Sequence, residues 1–209
     1  MIGTNPIMSS YFQKAGFSVD QFGRNSSPSL DCTAPNFKQN LEALIRCRSH
    51  SLYIFFSGLL RSTTILQQNY SEIIESFFVN SIGPVVGSEL ILQNVPNARV
   101  FLIGSESLRK GSFDMTYALS KSTLKTYVLN KRLLPFQQLL LLSPSTIDDL
   151  GMTTRRNDHE RLETYKLNHP KKRFLKSKEL AELILNLYRS SIYLSNTEIE
   201  VNGGKFACC

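Results

Sequence analysis

Apolar and polar positions along the chain fall into two alternating patterns. Phe17 to Phe22, Leu52 to Phe56, Arg99 to Ile103, Gln137 to Ser143 and Thr197 to Val201 are apolar or alternating runs, each too short for a helix, and they predict strands. Between them, stretches near Ile7 to Ala15, Asn36 to Arg46, Tyr70 to Gln93, Asp114 to Lys131 and Ser177 to Tyr188 space their apolar residues helically. In the last of these, Leu180, Ala181, Leu183, Ile184 and Leu187 form a stripe that reads as core packing rather than a binding face. The unbroken run Leu139 to Leu142 is expected of a strand covered on both faces, and Ser143-Pro144 ends it. Strands alternating with helices predict an α/β fold, a doubly wound parallel sheet. Ligands of such open sheets sit beyond the strands' carboxyl ends, so residues just after strands become candidates for function.

Composition narrows this only slightly. With 209 residues, 42% hydrophobic and 20% charged, the chain is expected to form a single domain over residues 1–209, and collagen-like, coiled-coil and disordered readings are excluded. The net charge of +7 is local: between Arg155 and Lys178 nine Lys or Arg face three acids. A basic segment at about 145–178 attracts an anionic ligand more naturally than it wraps a duplex, and its structural alternative is a solvated loop. No apolar run approaches a membrane span, and no basic, then apolar leader opens the sequence. Cys32, Cys47, Cys208 and Cys209 show no metal-ligand spacing, so no metal is expected and the default compartment is a reduced cytoplasm.

One segment carries chemistry. Arg99 to Ile103 leads through Gly104 to Ser105, and Tyr117 and Lys121 follow four residues apart, on one face of a predicted helix. An ammonium near a phenol favours the phenolate, which suits the tyrosine to proton transfer. The pair alone is weak evidence, since roughly 0.5 such spacings arise by chance at this composition. Tyr127 and Lys131 are a second example, without a strand ending in serine before them.

Taken in order, these features make the chain resemble a short-chain dehydrogenase/reductase over almost its whole length. In that family a strand ends in Ser, and a helix about a dozen residues later presents Tyr-x-x-x-Lys; Ser105 stands twelve residues before Tyr117. Phe78-Val79-Asn80-Ser81-Ile82-Gly83 is similar to the family's Asn-bearing helix, and Glu200-Val201-Asn202-Gly203-Gly204 to its closing strand and glycines. The resemblance implies a Rossmann-like fold with Tyr117 as general acid or base and Lys121 contacting the nicotinamide ribose while lowering the Tyr117 pKa. It also implies that Ser105 orients the substrate oxygen and that Asn80 supports a proton-relay water.

The resemblance also implies a cofactor site, with departures. Gly3 matches the first glycine of the family's glycine-rich turn and Asn5 falls within it, whereas Ile7 and Ser9 or Ser10 replace the later small residues and the first strand is stunted. Arg24, after the second predicted strand, favours a 2′-phosphate, hence NADP(H) over NAD(H). Asp31 is placed beside the adenine, Gly58 survives from an altered Asn-Asn-Ala-Gly turn, and Pro144 with Thr146 replaces the family's Pro-Gly turn. Two functions follow as expectations. The first is an NADP(H)-dependent carbonyl/alcohol oxidoreductase acting on an anionic substrate, a phosphorylated or nucleotide-linked sugar or a carrier-bound acyl group. Arg155, Arg156, Lys171, Lys172 and Arg173 are its candidate substrate contacts, and a homodimer or homotetramer paired through the helices of Asn80 and Tyr117 is its assembly. The second is a non-catalytic binding or scaffold protein with an eroded cofactor site. Nucleic acid ranks below both, and no membrane partner is expected.

Overall fold

A computed structural model describes residues 1–3, 5–48, 50–149, 151–154 and 158–207. Its sheet has four parallel strands in the order β1 (Leu52–Phe55), β2 (Arg99–Ile103), β3 (Gln138–Pro144) and β4 (Thr197–Val201). Val100, Phe101 and Leu102 of β2 align with Leu139, Leu140 and Leu141 of β3. The two-residue period then deals side chains to opposite faces. Tyr53, Phe55, Val100, Leu102, Leu139 and Leu141 enter one core, while Ile54, Phe101, Ile103, Leu140 and Leu142 enter the other. The first core is closed by α2 (Phe37–Cys47), α4 (Gly83–Asn94) and α6 (Met115–Asn130), the second by α1 (Pro6–Lys14) and α9 (Ser177–Arg189). Helices thus cover both faces, as a fully apolar β3 requires. The remaining helices are α3 (Tyr70–Phe77), α5 (Ser107–Lys110), α7 (Gly151–Thr154) and α8 (His159–Asn168).

Beyond β1 the sheet thins. Ile2 pairs in parallel with Phe55 on one side and Phe22 on the other, each an isolated bridge. The Ile2 N–H donates to the Ile54 carbonyl at 2.8 Å and its carbonyl accepts from Phe56 at 2.7 Å. The expected strand over Phe17 to Phe22 is corrected to this single pairing at Phe22. Phe17 and Val19 instead tuck into the core beneath α9, where Phe17 meets the Tyr188 ring edge-on. From Ile2 the chain runs outward through α1 to Phe22 and back through α2 to β1, so the strand order reverses between Ile2 and β1.

The helix expected over Tyr70 to Gln93 is three pieces. The π-helical turn Phe78–Ile82 separates α3 from α4 and holds Asn80. Such turns widen one helical step and recur at functional sites. Gly87 lets α4 lie close on the sheet: a Cβ there would stand 2.5 Å from the Phe55 ring. The strand expected to end at Ser143 continues through Pro144, which costs the ladder little at a strand terminus.

Candidate active site

Between the carboxyl ends of the Ile2 segment and β1 lies a cleft of about 400 Å³. It is the crevice expected where strand order reverses. Gly3, Arg24, Asp31 and Gly58 all line it, together with Ser57, Glu75 and Val79. Gly3 has φ +91°, and a Cβ there would sit 2.7 Å from Phe56 C and Ser57 N, so only glycine allows the two chain segments to approach this closely. Asn5 is buried and caps α1, accepting the Met8 N–H at 3.1 Å, while its Nδ2 has no partner. Pro6 brings no N–H and Asn5 occupies that of Met8, so the α1 N-terminus offers an anion fewer donors than a glycine-rich turn does.

The catalytic candidates stand on the other wall of the post-β1 loop. Asp114 caps α6, accepting the Tyr117 N–H at 3.2 Å, and so fixes the first turn that carries the phenol. Ser105 follows β2, and its Oγ accepts the Ser107 N–H at 3.1 Å. Ser105 and Tyr117 are both buried, and the Ser105 hydroxyl lies near enough to act on the phenol. Lys121, one turn along α6, is buried and donates to the carbonyls of Ile103 at 2.8 Å and Ser57 at 3.0 Å. Its Nζ thus lies between the end of β2 and the loop after β1.

Electrostatics correct one expectation. Burial pushes the Tyr117 phenol up, with the nearby Ser105 hydroxyl opposing the rise and Asp114 and Glu106 adding to it. The expected lowering by Lys121 is absent because that amine is itself desolvated and drops to about 7. At neutral pH the phenol is held protonated.

The Asn80 side chain braces the loop after β1. Both of its amide atoms grip one residue, with Oδ1 accepting the Leu59 N–H at 2.7 Å and Nδ2 donating to the Leu59 carbonyl at 2.9 Å. The Ser57 hydroxyl donates to the Val79 carbonyl at 3.0 Å, and Asp114 accepts the Arg61 N–H at 2.9 Å. The loop after β1 is therefore pinned by α6, by the π-turn and by Lys121. It links the cleft to α6.

Sequence reasoning missed Asp114, Arg61, Glu75 and Glu106. Asp114 had a signal, an Asp immediately before a helical run. Glu106 is adjacent to Ser105 and buried, held by Lys110 and by Lys205 at 2.9 Å. Arg24 reaches the cleft as expected, yet its Nε lies 2.9 Å from Asp31 and its Nη2 3.1 Å from Glu75. Pro144 and Thr146 present backbone, their carbonyls accepting from Glu106 at 2.9 Å and Leu175 at 3.1 Å.

The basic segment is largely paired internally. Arg173 makes a two-pronged bridge to Glu179 at 2.6 and 2.7 Å, and Lys176 meets Asp148 at 2.6 Å. Lys172 donates to the Leu167 carbonyl at 2.8 Å, closing the end of α8. Arg155 and Arg156 lie outside the described residues, as do Cys208 and Cys209. Among the described residues no cluster of His, Cys, Asp or Glu could hold a metal ion, and no helix is long and apolar enough to cross a membrane.

No family model matches the sequence, and no curated protein is similar to it in sequence. By structure the chain is similar to the ligand-free aldohexose dehydrogenase of Thermoplasma acidophilum, with TM-score 0.80, 18% identity, and coverage of 97% of this chain and 89% of that one. It is similar also to a short-chain dehydrogenase/reductase of the glucose/ribitol dehydrogenase type from Brucella melitensis, with TM-score 0.83, 16% identity, and coverage of 97% and 92%. A short-chain dehydrogenase/reductase family oxidoreductase from Burkholderia thailandensis matches with TM-score 0.81 at 16% identity over 96% of this chain and 87% of that one. The fold is the one these enzymes share.

Proposed function

We propose that this chain, folded as short-chain dehydrogenases/reductases are, is a nicotinamide-dependent oxidoreductase that interconverts a carbonyl and an alcohol. The observation that carries this reading is the buried Lys121 amine, held by the Ile103 and Ser57 carbonyls one helical turn along α6 from the buried Tyr117, with Ser105 buried just after β2. When bound, the nicotinamide supplies or accepts the hydride. Tyr117 Oη gives the proton to the substrate oxygen in reduction and takes it in oxidation, and a phenol held protonated near neutrality suits reduction. Ser105 holds the substrate oxygen beside that phenol. In its ammonium form Lys121 has two N–H groups on backbone carbonyls and keeps the third for a ribose hydroxyl.

The residues present fit the cofactor's adenosine end: the open cleft, the close approach permitted by Gly3 and the unpartnered Asn5 Nδ2 at the α1 N-terminus. In this reading Gly3 and Asn5 meet the diphosphate, Asp31 the adenosine and Arg24 a 2′-phosphate, hence NADP(H). Gly58, Pro144 and Thr146 contribute backbone. The substrate is anionic, approached by Lys171 and by Lys178, which has no ion-pair partner among the described residues. The protein acts as one domain in a reducing cytoplasm, in keeping with free thiols at Cys32 and Cys47. Copies pair through α3, the π-turn and α6, whose apolar Ile74, Phe78, Ile82, Met115 and Leu119 are exposed.

The test is Tyr117→Phe, assayed by reduced-nicotinamide absorbance against a panel of aldoses, sugar phosphates and acyl thioesters. Turnover is expected to fall by about 10²-fold or more with dinucleotide binding retained. Unimpaired turnover overturns the scheme. The donor-poor α1 N-terminus favours a second reading, a binding protein without the reaction, which gains if neither NADPH nor NADH binds in a calorimetric titration.

A further inference from the structure

Five charged side chains form a chain along the rim of the adenosine cleft. Arg24 bonds Asp31 through Nε at 2.9 Å and Glu75 through Nη2 at 3.1 Å. The second Glu75 oxygen stands 2.6 Å from Arg61, and Arg61 lies 3.5 Å from Glu72. Two guanidinium groups thus serve three carboxylates, leaving the rim negative. Arg24, Asp31 and Glu75 all line the cleft, with the Arg24 side chain 56% exposed.

A phosphate monoester carries nearly two negative charges near neutrality, and a guanidinium recognises it by offering N–H groups along one edge. In this chain one of those donors already points at Glu75. Nor is Glu75 free to swing aside, because Arg61 holds its other oxygen, and the Arg61 backbone is itself fixed by Asp114. A 2′-phosphate must therefore share the Arg24 guanidinium with a carboxylate anchored from behind, approaching its remaining Nη N–H groups against the charge of Glu75. A neutral ribose 2′-hydroxyl meets no such repulsion.

We propose that Glu75 is a specificity-determining residue: it competes with a ligand's 2′-phosphate for Arg24 and so weakens the cleft's preference for a 2′-phosphorylated adenine nucleotide. This rests on the dinucleotide reading above, which took the Arg24 preference from one residue alone. Glu75→Gln keeps the size and an oxygen for Arg61 while removing the charge that holds Arg24.

Adenosine 2′,5′-bisphosphate and adenosine 5′-monophosphate differ only in the 2′-phosphate. Both are titrated calorimetrically at low salt against the wild type, Glu75→Gln, Arg24→Ala and the double variant, followed by NADPH and NADH. Glu75→Gln is expected to tighten the bisphosphate about threefold to fivefold, the upper part of the range of one partly exposed charge pair, with the monophosphate changed less than about twofold. The gain is expected to vanish in the double variant. An unchanged bisphosphate-to-monophosphate ratio, an equal gain for both nucleotides, a gain that survives loss of Arg24, or no bisphosphate binding even by Glu75→Gln each overturns the proposal. If the bisphosphate responds as expected while neither dinucleotide binds, the oxidoreductase reading falls and the role of Glu75 stands.

Discussion

From β1 to β4 the sheet is bonded along its length with helices on both sides, whereas beyond β1, among the described residues, the chain contributes only Ile2 and Phe22, each through an isolated bridge. Ser105, Tyr117 and Lys121 belong to the first region, where strands and a long helix over a dry core set their positions. Gly3, Arg24 and Asp31 belong to the second, where short segments are tied by ion pairs and one close glycine contact. The region that would do chemistry is therefore fixed by burial, and the region that would recognise the adenosine is fixed by charge. Burial is insensitive to salt and costly to disturb, while partly exposed charge pairs are weak and tunable.

The largest break in this comparison comes from the core. Leu141 is fully buried in β3 between Leu102 and Glu198, and Leu141→Ala is expected to cost about 2–5 kcal/mol, read as a lowered denaturant midpoint. Phe22→Ala, in the thin region, is expected to cost clearly less. Equal losses would mean that the two regions share one core after all.

Lys121 sharpens the comparison through pH. Its folded pKa, about 7, lies below the ordinary 10.5 because burial penalises the charged form. Between those values the unfolded chain holds a proton that the folded one lacks, so this residue makes stability rise with pH across that window. The slope approaches about 1.4 kcal/mol per pH unit at most. The buried phenol of Tyr117 and thiol of Cys32, both raised, act in the opposite direction at alkaline pH. Subtracting the profile of Lys121→Met from that of the wild type isolates the lysine, and a flat difference between pH 7 and 9 would contradict its burial.

How much of this was legible in the sequence follows the same division. β1 to β3 were readable because strands buried on both faces must be nearly continuous in apolar residues, as Leu139 to Leu142 are, and β4 because Thr197 to Val201 alternates polar and apolar residues. The order Ser105, Tyr117, Lys121 was readable because strand, loop and helix fix it along the chain. Phe17 to Phe22 misled because Phe17 and Val19 are apolar for the sake of contacts under α9, not for pairing. The π-turn at Phe78–Ile82 has no composition of its own. Arg24 was visible but Glu75 was not, since a bridge across 51 residues leaves no local pattern. Burial overrode the expected effect of Lys121 on Tyr117, and burial is a property of the fold rather than of spacing.

Gly3 tests whether the thin region is held sterically. Its φ of +91° and the 2.7 Å approach to Phe56 and Ser57 leave no room for a Cβ, so Gly3→Ala is expected to cost about 1–3 kcal/mol. Because Ser57 and Gly58 line the cleft, adenine-nucleotide binding is expected to fall with it, more than for Leu141→Ala at equal stability loss. Thermal melting and calorimetric titration of both variants measure this.

The smallest effect isolates charge. Asp20 ties the segment before Phe22 to the approach to β1, meeting Arg48 at 2.6 Å and His50 at 2.8 Å. The Arg48 hydrogen bond leads in holding its carboxyl below the usual 3.8, against a modest desolvation penalty, with His50 adding to the lowering. A depressed carboxyl contributes stability that is present above about pH 4 and is lost as pH falls through the folded value. With side chains exposed at 27% for Asp20 and 52% for Arg48, solvent screens the pair, and Asp20→Asn is expected to cost less than about 1 kcal/mol near neutrality. In about 1 M salt, where the screening length is ~3 Å, that cost should shrink further while the Leu141→Ala loss persists. A salt-independent Asp20→Asn loss would show that the thin region, too, is held by packing.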